Sequence, residues 1–280
     1  MCTGRRRRWN VFFKRKDKHR SLTIKKERSA RSMRRVHRQL LFWLPRGRWA
    51  SLLCGAAAFF AAGCLAIHGV SAVMAGGEQL QEPVCRVETA EKQIALSFDV
   101  EWTDVQTQTL LGILEGHEAK ATFFVVGRWA KAHPESVLKM VTAGNEVGSH
   151  SMAHTHLQKC SDAEQRTDLQ QCSEAVEQIT GTRPRLFRAP YTTYSPELLA
   201  AARDEGMVSI AYDVDSLDWK NLPPERICTR VVQQVRPGSI VRFQSSALNT
   251  PTALSMLLTR LQKEGYTFVT VSALIDMEHR

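Results

Sequence analysis

Acidic residues are almost missing from the start of this chain: residues 1–49 hold two of them against 18 Lys and Arg. Charge of any sign is missing from the next stretch, residues 49–77. The formal net charge of +10 on 280 residues is therefore segregated, with +16 on residues 1–49 and −6 on residues 50–280. That balance excludes a uniformly basic folded body and leaves a mildly acidic one behind a basic tail. Zinc-knuckle and redox-pair cysteine spacing is missing: of seven cysteines, the four beyond the tail and the uncharged stretch, Cys85, Cys160, Cys172 and Cys228, fit neither. No internal repeat is present, which excludes a solenoid or propeller. No low-complexity block lies outside the tail.

What is present begins with that tail, which includes Arg5-Arg6-Arg7-Arg8 and the basic run from Arg31 to Arg38. Such runs attract polyanions, but an apolar segment follows directly, running from Ala50 to Ile67 with only small polar interruptions. About 20 apolar residues span a bilayer, and a basic flank marks the cytoplasmic side. The expected organisation is a cytoplasmic tail over 1–49, a transmembrane anchor over 50–77, a linker over 78–92 and a folded domain over 93–280. This makes the protein single-pass, with its N-terminus inside and the domain outside the cell. The membrane is then the partner of the N-terminal region, and nucleic acid is the disfavoured one. Val73-Met74-Ala75 carries small residues suited to a signal peptidase. The basic region is far longer than a signal-peptide start, so an uncleaved anchor is expected. Cys85, Cys160, Cys172 and Cys228 would lie outside the cell, where disulfides are permitted, but the sequence names no pair.

From Gln93 onward apolar runs alternate with helical patterns. Strands are expected over 94–98, 121–126, 146–149, 186–187, 208–212, 239–243 and 267–271. Helices are expected over 103–114, 134–143, 161–179, 195–205, 224–235, 250–263 and 273–277. The first is capped by Thr103 or Asp104, and the third ends near Gly181. About seven strands alternating with helices predict an α/β fold with a parallel sheet. Asp99, His150, Arg188, Asp215 with Asp218, and Gln244 each fall at or just past the C-terminal end of a strand. Such ends converge on one face of a barrel, so a (β/α) barrel is expected rather than an open sheet.

The chemistry centres on His150-Ser151-Met152-Ala153-His154. Two imidazoles four residues apart, just after a short strand, can point at one ion, and neutral imidazole is a common zinc ligand. Taken alone, a histidine pair at this spacing is more often structural. Asp99 at the end of an earlier strand and Arg188 at the end of a later one shift the balance toward a metal site with a neighbouring base. Asp213 reads as structural, and His156 as a loop residue rather than a third nitrogen ligand. Arg242, on a buried strand, needs a partner, because an unpaired buried charge is costly.

These residues resemble the polysaccharide deacetylase family, the NodB-homology group of chitin and peptidoglycan deacetylases, over about residues 92–275. The resemblance rests on Ser97-Phe98-Asp99 with Trp102, the pair His150 and His154, Phe187-Arg188-Ala189-Pro190-Tyr191, Asp213-Val214-Asp215-Ser216-Leu217-Asp218-Trp219 and Pro237-Gly238-Ser239-Ile240-Val241. It is closer to the sporulation-associated members. It implies a distorted (β/α) barrel, a divalent metal, expected to be zinc, and a cell-wall polysaccharide as substrate. His150 and His154 would hold the metal, which activates water and polarises an amide carbonyl. Asp99 would be the general base, with Arg188 pairing to keep it ionised. The backbone N–H of Tyr191 would stabilise the oxyanion, and Trp102, Pro190 and Trp219 would contact the sugar. Asp215 or Asp218 would orient a general-acid histidine.

Two positions depart from the family pattern. Val100 stands where the family has an aspartate as third metal ligand, and Glu101 is the expected substitute, ahead of Asp104. Gln244 stands where the family has the general-acid histidine, in the run Arg242-Phe243-Gln244. Glutamine does not donate a proton near neutral pH, and general acid–base assistance is typically worth ~10²–10⁴ in rate. Two readings follow: a metal-dependent hydrolase that removes acetyl groups from amino sugars, and a catalytically impaired relative that binds glycan or assists wall assembly.

Overall fold

A computed structural model of the protein describes residues 82–278. The basic tail and the apolar segment expected to anchor it lie outside the described residues. No helix among the described residues is long and apolar enough to cross a membrane.

The sheet is parallel throughout. Its strands are β1 (Gln93–Val100), β2 (Ala121–Val125), β3 (Glu146–Ser149), β4 (Leu186–Phe187), β5 (Val208–Ser209), β6 (Val214–Asp215), β7 (Ile240–Gln244) and β8 (Thr267–Val269). Seven of them follow the order β5-β4-β3-β2-β1-β7-β6, and β8 pairs with the first residues of β1. This is the expected α/β barrel in distorted form, with β5 and β6 unpaired to each other. Part of that gap is bridged by residues 84–86, which the sequence places in a linker. Val84 pairs beside Ile210 and Arg86 beside Ser239, and Val87 N–H donates to the Gly238 carbonyl at 3.0 Å.

The helices are α1 (Thr107–Gly116), α2 (Gly127–Ala132), α3 (Pro134–Thr142), α4 (Asp162–Thr180), α5 (Pro196–Asp204), α6 (Pro224–Gln234), α7 (Thr250–Lys263) and α8 (Val271–Glu278). Helix α4 starts where its sequence says it should. Ser161 caps it, with Glu164 returning the bond in a capping box, and Gly181 ends it in the left-handed region. Helix α1 differs from expectation. It starts at Thr107, and neither Thr103 nor Asp104 caps it. Asp104 instead accepts a hydrogen bond from Ser136 at 2.6 Å, a tertiary contact that local spacing does not reveal.

Strand β1 lies at the centre and is buried along nearly its whole length, as expected of a parallel strand covered on both faces. Phe98 stacks between its two register partners, Phe123 at 5.0 Å and Phe243 at 5.4 Å between ring centroids. This aromatic layer fixes β1 against β2 and β7. Asp99, one residue on, thereby points to the opposite side of the strand from Phe98.

Candidate metal centre

Four strand ends deliver the polar residues to one place. Asp99 lies in β1 with Glu101 just after it, His150 follows β3, Arg188 follows β4 and Gln244 closes β7. Backbone bonds hold these ends in step: His150 N–H donates to Val125, Arg188 N–H to Ser149 and Ser245 N–H to Asp99. Together with Trp102, His154, Tyr191, Asp218, Trp219, Arg242 and others, Asp99, Glu101, His150 and Gln244 line a cavity of about 590 Å³.

Glu101, His150 and His154 form a cluster whose ligand atoms all lie within 4.8 Å of one another. Glu101 Oε1 is 3.1 Å from His154 Nε2 and 3.6 Å from His150 Nε2. The nitrogen chemistry fits a cation. His150 Nδ1 lies 2.8 Å from the Arg188 carbonyl oxygen, which only accepts. Nδ1 therefore carries the proton, and Nε2 is the ring atom that faces Glu101, where a metal ion would take its lone pair. His154 reaches the same point through a strained turn: Ser151 and His154 both have positive φ, 67° and 54°, and Ser151 Oγ accepts from His154 N–H at 2.8 Å. Backbone strain of this kind is held where a site requires it. Burial pushes the Glu101 carboxyl up, but hydrogen bonds from His150, His154 and Gln244 outweigh it and hold the group well below the usual carboxylate range. One carboxylate oxygen and two imidazole nitrogens make a donor set of the kind that suits zinc. The carboxylate comes from position 101, as expected; Val100 is buried.

Asp99 lies beside this cluster between two guanidinium groups. Arg188 Nη1 donates to Oδ1 at 2.9 Å, and Arg242 Nε donates to Oδ2 at 2.7 Å. Burial alone would raise the Asp99 carboxyl, but Arg188, His150 and Arg242 hold it at about 2. Arg188 is fully buried. It also donates to Ser97 Oγ and to the Ala211 carbonyl, and it lies over the Phe124 ring. The Arg188–Asp99 pairing expected from the sequence is thus present. The Arg242–Asp99 pairing is additional. It was legible in part, since Arg242 needed an anion, and period-two alternation puts Arg242 and Gln244 on one face of β7, in register with Ser97 and Asp99.

The remaining candidates are placed as follows. Tyr191 has a left-handed backbone (φ 58°) just after Pro190, and its ring lies 4.8 Å from that of His154. Pro190 is buried and does not line the cavity; it opens the turn that presents Tyr191. Trp102 is 67% exposed and Trp219 51% exposed, both at the cavity rim. Asp218 is buried and accepts from Gln244 N–H at 2.9 Å and Thr250 Oγ1 at 2.6 Å, so it fixes the end of β7. Asp215 lies outside the cavity lining, 3.6 Å from Arg242 Nη1. Asp213 accepts from Ser239 and Ile240, a structural role as expected. His156 stacks on Tyr191 at 3.9 Å and takes no place in the cluster.

Comparison with known proteins agrees with this geometry. Residues 86–210 match the model of the polysaccharide deacetylase family. A peptidoglycan-N-acetylglucosamine deacetylase of Bacillus cereus is 31% identical over 68% of this chain and 91% of its own length. The peptidoglycan-N-acetylmuramic acid deacetylase PdaC of Bacillus subtilis is 33% identical over 69% of this chain. The chain spans 40% of PdaC and 62% of another Bacillus subtilis relative, YlxY. Among solved structures, a CE4 family pseudoenzyme from Bacillus anthracis superposes with a TM-score of 0.67 at 32% identity. That match covers 69% of this chain and 68% of that one. A mutant of the pseudoenzyme has restored enzymatic activity. The protein belongs to the CE4 polysaccharide deacetylase family.

Proposed function

We propose that the protein is a metal-dependent hydrolase that removes N-acetyl groups from amino sugars of a cell-wall polysaccharide, peptidoglycan or chitin-like. The observation that carries this reading is the Glu101–His150–His154 cluster facing the same cavity as Asp99. A divalent ion, proposed as zinc, would be held by Glu101, His150 and His154 and would supply the Lewis acidity that activates water and polarises an amide carbonyl. Asp99 accepts a proton at Oδ1 or Oδ2 as general base, and Arg188 orients it through the 2.9 Å contact. The turn at Tyr191 offers its backbone N–H to a developing oxyanion. Trp102 and Trp219 provide flat apolar surfaces at the rim for sugar rings.

The same reading places the domain outside the membrane, anchored through residues 50–77 with the basic tail in the cytoplasm. Its support is the segregated charge and the uncharged stretch of the sequence. Sporulation is the proposed setting, supported only by the resemblance to sporulation-associated members of the family.

A second reading is favoured by two specific observations. Gln244 supplies no acid for the leaving amine, and Arg242 occupies Oδ2 of Asp99. In this reading the domain binds glycan and turns it over slowly or not at all. Acetate release from N-acetylglucosamine oligomers and from peptidoglycan, with zinc supplied or chelated, separates the two. Metal-dependent release that Asp99→Asn abolishes supports the hydrolase. Glycan binding without release, unchanged in His150→Ala, supports the binding protein.

A further inference from the structure

The two histidines of the cluster are carried by a loop rather than a helix, so their spacing is imposed from outside. The loop leaves β3 at His150 and takes positive φ at Ser151 and again at His154, conformations that persist only where surrounding contacts hold them. Neighbouring elements supply those contacts. From the start of α2, Gly127 N–H donates to the Ser151 carbonyl at 2.9 Å and Arg128 N–H to the Met152 carbonyl at 3.0 Å. From α4, Asp168 Oδ1 accepts from Met152 N–H at 2.8 Å. The first two are main-chain bonds, and the last is made by a side chain.

Helix α4 is a firm support for that bond. It is capped at both ends, and its Leu169 and Cys172 are buried. One turn before Asp168, the buried Gln165 donates through Nε2 to the carbonyls of Leu157 and Cys160, at 3.1 and 3.2 Å. Residues three apart share a helix face, so one face of α4 grips the chain between the histidines and again just beyond them. The packing there is tight: a Cβ on Gly127 would lie 2.5 Å from Met152 Sδ and 3.2 Å from the Cys172 Cα. Asp168 does not line the cavity that the cluster faces, so it acts on the cluster through the loop alone.

We propose that Asp168 is a positioning residue of the metal centre: by holding Met152 N–H it fixes the turn that brings His154 to the point faced by His150 and Glu101. The proposal rests on the metal reading above. A carboxylate suits the task, because it accepts strongly from a main-chain N–H. Without it Met152 N–H loses its partner, and the strained turn is free to carry His154 away from the ion. Groups that orient metal ligands typically change affinity by roughly 10–100-fold when removed.

The test is metal binding by the full chain, measured with zinc against a competing chelator dye and with cobalt(II) by its visible absorption. Asp168→Ala removes the acceptor and is expected to weaken zinc binding by about 10-fold or more and to alter the cobalt spectrum. Asp168→Glu keeps the charge but displaces the acceptor by a methylene. It carries the same expectation on a folded protein if Asp168→Ala does not fold. Asp168→Asn keeps an acceptor oxygen in place and is expected to bind zinc close to the parent. Lost stability alone does not give this pattern. Gly206→Ala, strained by its φ of +76° and outside the cavity lining, is expected to melt lower and to bind zinc as the parent does. The proposal is overturned if folded Asp168→Ala or Asp168→Glu binds zinc as the parent does, with the parent's cobalt spectrum, while His154→Ala loses binding. If His150→Ala and His154→Ala also bind as the parent does, the metal reading itself falls.

Discussion

At the scale of single residues, Asp99 and Arg188 form a buried ion pair. Both are buried, and the pair is broken at a cost of about 3–5 kcal/mol when one partner is removed and the other stays. Arg188→Leu is expected to destabilise the domain at the lower end of that range, because Arg242 still faces Asp99. Urea denaturation checks it, through a lower midpoint at unchanged slope. The pH dependence follows from the same pair. Asp99 is held at about 2 in the folded protein, below the ordinary carboxylate range of the unfolded chain. The unfolded state thus binds the proton more readily, and acid favours unfolding. The contribution is complete above about pH 4 and is lost as the pH falls through about 2. Urea midpoints between pH 5 and pH 2 (roughly the window set by those values) are expected to fall more steeply for the parent than for Asp99→Asn. Equal slopes would show that other carboxylates carry the acid response.

Cysteine chemistry belongs to this scale too. All four described cysteines are free thiols. Burial pushes Cys172 up to about 11, whereas Cys85 is exposed. Alkylation with iodoacetamide at mildly alkaline pH, read by mass spectrometry, is expected to label Cys85 first and Cys172 only after unfolding. Early labelling of Cys172 would mean that α4 opens readily from the sheet.

At the scale of elements, the strand ends place the site, and this is also where the sequence was most readable. Apolar runs located β1, β2, β3, β4 and β7, and Asp99, His150, Arg188 and Gln244 followed as strand-end residues. Three elements escaped. Strand β6 has a single apolar residue, Val214, between Asp213 and Asp215, so no apolar run marks it. Helix α2 follows β2 directly at Gly127, a residue that reads as a strand stop. The bridges at Val84 and Arg86 are single pairings with distant partners, invisible to local pattern.

Those bridges yield a test at this scale. Gly238 has φ of +80°, and a Cβ there would overlap the Val87 carbonyl oxygen, where the N-terminal segment crosses toward β7. Gly238→Ala is expected to destabilise by about 2 kcal/mol or more, since both the dihedral and the space are wrong. A melting temperature within a degree or so of the parent, roughly the shift of a few tenths of a kcal/mol, would contradict this. Gly206→Ala also has positive φ, but nothing lies near its Cβ. It isolates the dihedral part of the effect.

For the whole molecule, charge segregation and the site make separate claims. The anchor proposal expects the full chain to fractionate with membranes and to be released by detergent but not by high salt. Release by salt alone would reduce residues 1–77 to an electrostatic tail. The site was legible because several weak signals, each of them ambiguous alone, lie on successive strand ends of one barrel. Glu101 as the cluster's carboxylate was also legible, because Val100 cannot ligate and the next acid is adjacent. The sequence showed that Arg242 needs an anion but not that the anion is Asp99. That depends on which side chains meet across β1 and β7, a matter of register rather than composition.

The central claim is that Glu101, His150 and His154 arm Asp99 for amide hydrolysis. Its most direct test is acetate release by the full chain from N-acetylglucosamine oligomers and peptidoglycan, before and after chelation and after zinc is restored. The account expects release that disappears on chelation, returns with zinc, and falls about 100-fold or more in Asp99→Asn. Zinc-loaded protein that binds these glycans and releases no acetate would contradict it, and would make the domain a glycan-binding member of its family.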